Sequence, residues 1–393
     1  MRILFNIIFS AILAIGLVGF WALFLNLWKP KKKWPAWVGY IIIIGAWFVA
    51  IRYYILNQVD LYGTMYYPLM NMFRTESYGF LFGVFLAIPV FIILSLLYWT
   101  INKIWSKTPE ENRTGRRAFF RTAATIVPLA TIGGSSYAAF AGQQELVVTH
   151  ESFGYTNLPP GLKNYKIVQL SDIHIGPSID LDDFDEILKL ALLQKPNRVV
   201  ITGDLIDKLA WLPQVCERLT TFAKQIPDGV DFILGNHEYH HDVNKVLDSL
   251  KRNTPMNILV NSNIQIMGGK QPVYIAGVAY DNDREKEKRE AMIDKALSGI
   301  PDYAFVILLA HHPEFFEESI ERKIPLTLSG HTHGGQIVFM GMPLVPTGTP
   351  YTKGRYVEEQ SVCYVNNGTG HWFPIRINCP REITVITFFD GVA

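Results

Sequence analysis

Three long apolar runs, residues 3–28, 37–56 and 78–101, constrain this chain more than anything else in it. Each holds the roughly 20 mostly apolar residues that a helix needs to cross a bilayer. Inside a bilayer core the backbone amides find no water, so such a segment is confined to helix. The first run is interrupted by Asn6, Ser10 and Asn26, and the second carries Arg52 near its end, whose aliphatic stem can take the guanidinium out to the interface. A fourth run, 122–141, is weaker because it contains Pro128, Gly133, Gly134 and several hydroxyls; it reads either as a span or as part of a soluble fold. Residues 1–142 are expected to form a membrane anchor of about four helices, followed by a second domain over 143–393.

Charge divides at the same place. Residues 1–142 hold 13 Lys and Arg against 4 Asp and Glu, leaving 23 against 31 for the rest, so the formal +1 is a balance of +9 and −8. A domain at −8 argues against a nucleic-acid footprint, which clusters Lys and Arg on one face. Basic short loops stay on the cytoplasmic side. Lys29, Lys31, Lys32 and Lys33 follow the first run, and Lys103, Lys107, Arg113, Arg116, Arg117 and Arg121 precede the fourth, whereas loop 57–77 offers Arg74 countered by Asp60 and Glu76. Four spans then put the acidic domain outside the cytoplasm; three would leave it inside. Residues 115–121, with Arg116-Arg117, and the following Ala139-Phe140-Ala141 resemble a twin-arginine export signal. The alternative is that the arginines mark the cytoplasmic end of a span. Both readings place the domain outside and leave open a cleavage after Ala141. Cys216, Cys363 and Cys379 are too few and too scattered for a disulfide scaffold or a thiolate zinc site. They read as structural thiols, with a Cys363 to Cys379 bridge as the alternative in an oxidising compartment.

From Lys166 onward, short β-branched runs alternate with amphipathic helical patterns, an α/β arrangement. Residues 167–170, 199–202 and 232–234 read as buried strands. Phe184, Ile187, Leu188 and Ala191 recur at helical spacing between the first two, predicting parallel strands joined by a crossover helix. Polar residues follow each strand: Asp172-x-His174, Gly203-Asp204 with Asp207, and Gly235-Asn236-His237-Glu238. Later, 305–309 leads into His311-His312-Pro313, and 326–328 into Gly330-His331-x-His333-Gly334-Gly335. Ligands of open parallel sheets bind beyond the carboxyl ends of the strands, so these groups are expected to converge. A lone strand-end His is more often structural than a ligand. With 10 His in 393 residues, though, a chance Gly-His-x-His arises about once in twenty thousand windows, and here it closes an ordered series of five motifs. Carboxylate, imidazole and amide together suit Mn, Fe or Zn better than Ca or Mg, which prefer oxygen alone.

The order and content of these motifs resemble the calcineurin-like metallophosphoesterase family over about residues 147–388. Gly334-Gly335-Gln336, Asn367-Gly368-Thr369-Gly370, Pro374-Ile375-Arg376 and Pro380-Arg381-Glu382-Ile383 resemble its membrane-associated phosphodiesterase branch, which includes relatives of UDP-2,3-diacylglucosamine pyrophosphohydrolase. The resemblance implies a four-layer αββα sandwich, the second sheet coming from the resemblance and not from periodicity. It assigns one divalent transition-metal ion to Asp172, His174, Asp204 and His333, and a second to Asp204, Asn236, His311 and His331, with Asp204 bridging. Two cations about 3.5–4 Å apart need a shared anion, and the water they hold attacks phosphorus in line. His237 corresponds to the family's catalytic histidine, which protonates the leaving oxygen or stabilises its charge, against a purely structural role as the alternative.

Other groups are weighed beside these. Glu238 and Asp207 are expected to orient ligands rather than bind metal. The family places its ligand two residues before Pro, favouring His311 over His312. Arg376 is the candidate for a phosphate contact, against a structural role. His150, His240, His241 and His371 match no motif, and 281–290, dense in both signs, reads as a solvated helix face. The expected function is hydrolysis of a phosphoester or pyrophosphate bond in a phosphorylated small molecule or lipid, such as a cell-envelope precursor. The rivals are a general extracytoplasmic phosphatase acting on soluble esters and a non-catalytic, metal-stabilised membrane binding module. Transport finds little support, since Arg52 is the notable charge within the runs.

Overall fold

The computed structural model describes residues 59–104, 110–279, 285–373 and 375–391, together with Gly45, Phe48, Arg52 and Ile55. Apart from those four positions, the expected spans 3–28 and 37–56 lie outside the described residues. The chain divides into two compact units, Met1–Gly142 and Gln143–Ala393.

In the first unit, α1 (Tyr67–Ile104) and α2 (Glu110–Gln144) both contain a stretch long and apolar enough to cross a membrane. Each runs well past its apolar run, 78–101 or 122–141, because a backbone ladder needs no apolar side chains; hydropathy marks bilayer depth, not helix ends. The helices pack backbone to backbone. A Cβ on Gly79 would lie 2.8 Å from Ser136 Cα, and one on Gly83 2.5 Å from Ile132 Cα. Further along, Ala87 and Phe91 cluster with Phe120 and Ala124, and the Tyr98 ring meets Phe120 edge-on at 5.2 Å. The contacts advance along α1 as they retreat along α2, so the pair is antiparallel. Helices in lipid gain little from burying apolar surface, and small residues that admit close approach hold them instead. Leu86, Ile92, Ile93, Leu96 and Leu97 of α1 stay exposed, as do Ile126 and Leu129 of α2. Arg52, expected to reach for the interface, has a specific partner: it forms an ion pair with Glu76 and donates to Ser77 Oγ at 2.9 Å.

The second unit supplies, in chain order, β1 (Leu146–Tyr155), β2 (Lys166–Leu170), α3 (Leu181–Leu193), β3 (Arg198–Thr202), α4 (Leu212–Ala223), β4 (Val230–Ile233), α5 (Asn236–His240), α6 (Val243–Asn253) and β5 (Asn257–Ile258). It continues with β6 (Ser262–Met267), β7 (Val273–Gly277), α7 (Lys286–Leu297), β8 (Phe305–Leu309), α8 (Phe315–Glu321) and β9 (Leu326–Ser329). A hairpin of β10 (Val338–Phe339) and β11 (Met342–Pro343) follows, then β12 (Gly354–Glu358), β13 (Ser361–Val365) and β14 (Arg381–Asp390). One six-stranded sheet runs β1-β14-β2-β3-β4-β5 and the other β12-β13-β9-β8-β7-β6. Strands β2 to β5 are parallel, with β14 antiparallel to β2; β7, β8, β9 and β13 are parallel, with β6 and β12 antiparallel at the edges.

The sheets face each other. Ile167, Val200, Ile233 and Ile386 of the first share one core with Ile275, Ile307, Leu309, Leu326 and Leu328 of the second. Each such buried aliphatic side chain contributes roughly 1.5–3 kcal/mol. Alternate residues point the other way, so Ala276 and Leu308 pack with Ile293 and Ala296 of α7 and Phe315 of α8. Helix α3 buries Phe184, Ile187, Leu188 and Ala191, the expected crossover stripe. The result is the expected four-layer αββα sandwich. It also removes the disulfide alternative: Cys216, Cys363 and Cys379 are all free and buried. Cys363 lies among Phe316 and Val365, whereas the Cys379 thiol faces the His333 carbonyl at 3.4 Å.

Candidate metal centre

The parallel strands of both sheets deliver their polar residues at their carboxyl ends. Asp172 and His174 follow β2, Asp204 follows β3, Asn236 and His237 follow β4, His311 follows β8, and His331 and His333 follow β9. Main-chain bonds lace these loops together beyond the strands: Asp172 N to Gly203 O and His174 N to Asp204 O, both 3.0 Å, and Gly330 N to His311 O at 3.1 Å. Each loop must turn abruptly. Asp172, His174, Asp204, His331 and His333 all have φ between 51° and 70°, a region L-residues seldom occupy. At Gly330 a Cβ would lie 2.2 Å from Asp172 Oδ2, so the turn closes against the carboxylate only because this residue is Gly.

Two groups of donor atoms result. In the first, His174 Nε2 and His333 Nε2 are 3.0 Å apart, with Asp172 Oδ1 3.5 Å from His333 Nε2. In the second, Asn236 Oδ1 lies 3.1 Å from His311 Nε2 and 2.9 Å from His331 Nδ1. Asp204 Oδ2 belongs to both, 3.6 Å from His174 Nε2 and 3.3 Å from His311 Nε2. Asp172 with His174 and His333, and Asp172 with Asp204 and His311, each offer atoms within 4.8 Å of one another and could hold an ion. The chemistry of the set fits a cation. His311 Nδ1 lies 2.8 Å from the Thr202 carbonyl, which can only accept, so Nδ1 carries a proton and Nε2 is the nitrogen turned toward the cluster. Asp172 and Asp204 are buried carboxylates side by side, an arrangement that calls for positive charge. Burial, and then the Asp204 charge, holds the Asp172 carboxyl above its ordinary range. Burial would raise Asp204 too, but His311, His237 and His174 overcome it and hold that carboxyl well below.

His237 stands beside this centre, its ring 4.4 Å from that of His174. Its amide donates to Asp204 Oδ1 at 2.8 Å, and its Nδ1 to Asp207 Oδ1 at 2.6 Å. Burial alone would lower its pKa, but the Asp207 hydrogen bond and the charges of Asp204, Asp207 and Glu238 push it up to about 9. Asp207 also reaches His174 Nδ1 at 3.3 Å and His241 Nε2 at 3.5 Å. Glu238 is fully buried and accepts from the amides of Asp204, Leu205 and Gly235, fixing the loop that carries Asp204. His312 points elsewhere, its ring 3.9 Å from that of His331 and tilted 36° to it, with Nδ1 3.5 Å from Glu314.

Arg376 is 4% exposed, and its guanidinium donates to the carbonyls of Cys379, Asn367 and Gly370 at 2.8–3.0 Å and lies 3.2 Å from His333 Nδ1. It stitches the His333 loop to the loops after β13 and before β14. Sequence reading passed over Ser171, whose hydroxyl donates to Asp172 Oδ2, and gave no role to Thr369 of the quoted motif, whose amide donates to Ser171 O at 2.7 Å. Their signal was adjacency to Asp172 and to the Gly368-Thr369-Gly370 turn.

Residues 165–335 match the family model described as calcineurin-like phosphoesterase. The chain is similar to an uncharacterized metallophosphoesterase of Campylobacter jejuni, 36% identical over 58% of this chain and 60% of the relative. It is likewise similar to the uncharacterized metallophosphoesterase YkuE of Bacillus subtilis, at 31% over 65% of this chain and 90% of that one. A transmembrane protein with metallophosphoesterase domain from Danio rerio is 27% identical over 77% of this chain and 71% of its own length. The match thus spans about three fifths of the Campylobacter relative and nearly all of the Bacillus one.

Proposed function

The chain belongs to the calcineurin-like phosphoesterase family, and on that premise we propose that it hydrolyses a phosphoester or pyrophosphate bond with two divalent transition-metal ions, Mn, Fe or Zn. Asp172, His174, Asp204 and His333 would hold one ion, and Asp204, Asn236, His311 and His331 the other. The observation that carries this is Asp204 Oδ2, within 3.6 Å of one imidazole group and 3.3 Å of the other. A carboxylate shared between two cations lowers their mutual repulsion. When bound, the ions supply an activated water and neutralise charge on the phosphoryl oxygens.

The chain's own residues do the rest. His237 Nδ1 is committed to Asp207, so the proton it offers the leaving oxygen comes from Nε2. Asp207 holds that ring in place, and Glu238 fixes the Asp204 loop. The substrate is a phosphorylated lipid or cell-envelope precursor, with the site held outside the cytoplasm by a multi-pass anchor. Two helices of bilayer length, the basic loops and the likeness to a transmembrane relative support this.

Metal analysis paired with Asp204→Asn tests the reading. The wild type should carry two ions per chain, and the variant should lose at least one ion and about 100-fold or more in turnover on a phosphodiester panel. A variant that keeps both ions and full activity would sink it.

A further inference from the structure

We propose that the β10–β11 hairpin and Trp372 form a membrane-docking element, which enters the headgroup boundary of the bilayer and presents the metal centre to a phosphoester carried on a lipid. The docking stands on surface chemistry alone; its catalytic consequence rests on the proposed hydrolase.

Residues 337–344 read Ile-Val-Phe-Met-Gly-Met-Pro-Leu, eight positions without a polar side chain. Val338 turns inward at 3% exposure and anchors the hairpin, while Phe339, Met340, Met342 and Leu344 are 59%, 83%, 65% and 61% exposed. The tip, Met340-Gly341, has φ of 49° and 82°, the two-residue turn in which both residues are left-handed, so the exposed apolar residues flank a tight hairpin turn. Trp372 is 58% exposed. An apolar patch of this kind marks an interaction surface.

Both pieces are tied to the donor cluster. Gln336, three residues past His333, donates its side-chain amide to Phe373 O and Ile375 O at 2.7 and 3.0 Å. Val338 N donates to Ile377 O at 2.9 Å, and Leu344 N to Ile337 O at 2.8 Å. On the Trp372 side, Gly370 N donates to Asp172 O at 3.0 Å. A bilayer is the occupant these features favour. Trp belongs at the headgroup level, and a hairpin tip enters a fluid surface without needing a shaped partner. The span-length stretch of α2 ends at Ala141 and β1 begins at Leu146, so four residues of chain separate a candidate bilayer segment from the first strand of this unit. That tether gives the bilayer a high effective concentration.

The test uses the full chain with Met340→Cys, labelled with an environment-sensitive fluorophore; the three native cysteines are buried, which directs the label. In phosphatidylcholine–phosphatidylglycerol vesicles bearing shallow doxyl-labelled lipids in both leaflets, quenching should exceed about twofold that of the same probe at Gln360→Cys. Quenching equal to the control overturns the proposal, as does pyrene excimer emission at Met340→Cys without lipid quenching, which would assign the surface to a second copy. In the triple variant Phe339→Ser, Met340→Ser, Met342→Ser, turnover of a vesicle-embedded phosphoester should fall about tenfold, with a soluble chromogenic phosphodiester unchanged. Equal loss on both, or none, removes the presenting role. Lipid quenching in a protein that turns over neither substrate defeats the hydrolase reading and leaves the docking intact.

Discussion

Asp172, His174, Asp204, His331 and His333 lie together in a backbone region that costs an L-residue roughly 1 kcal/mol or more each. The strain aims side chains into the crevice within a residue or two of the strand end. His237, whose φ is ordinary, is the proposed proton donor to the leaving oxygen. His237→Ala should lower kcat by about 10²- to 10⁴-fold while metal content stays at the wild-type level. Because Asp207 helps raise His237 to about 9, Asp207→Asn should move the alkaline limb of the pH–rate profile to lower pH. Asp183 makes a separate prediction for stability. Burial, and then the neighbouring Asp180, pushes its carboxyl up from 3.8 to about 6. A raised folded-state pKa means tighter proton binding in the folded chain, so this stability is present below about pH 4 and lost as pH rises through about 6. Asp183→Asn retains an oxygen to accept from the Asp180 amide at 3.0 Å, and should stabilise by about 1 kcal/mol at pH 7.5 but not at pH 4, read from denaturant midpoints.

Among the elements, the helix pair is the most exacting. Gly83→Leu would drive a side chain into Ile132 Cα, 2.5 Å from its Cβ, and should weaken the α1–α2 pairing by about 1–3 kcal/mol. Earlier proteolysis between the helices in detergent, with unchanged metal content in the second unit, would register it. Gly79 and Gly83 stood in plain view four residues apart, yet only the partner helix reveals which small residues form the seam. Strands β2, β3, β8 and β9 were legible because they are buried on both faces: β3 and β8 read as near-continuous apolar runs, and β2 and β9 as short β-branched or leucine-rich runs broken by Gln169 and Thr327. Edge strands β6 and β12 were not, since most of their residues are half-buried or exposed and carry no clear alternation.

At the scale of the molecule, the proposed ions would also hold the fold together. They would join loops from two sheets, and ligands that bind only the folded state stabilise it by about 4 kcal/mol at 1,000 times Kd. Treatment with a chelator should therefore lower both activity and the melting temperature of the second unit, and Mn should restore both, as followed by scanning fluorimetry. A melting temperature indifferent to chelator would count against ions bridging the sheets.

The amino-acid sequence determined which chemistry is available, because donor type is a property of side chains: carboxylate, imidazole and amide at the ends of apolar strands, behind runs of bilayer length. It could not say where those donors point. That His311 and not His312 faces Asp204, that Arg376 turns to main-chain carbonyls, and that Cys363 and Cys379 stay apart were decided by tertiary packing. The His331 amide meets Asp172 across 159 residues of chain only because two sheets share one core, and direction follows from that packing and from the torsions it imposes.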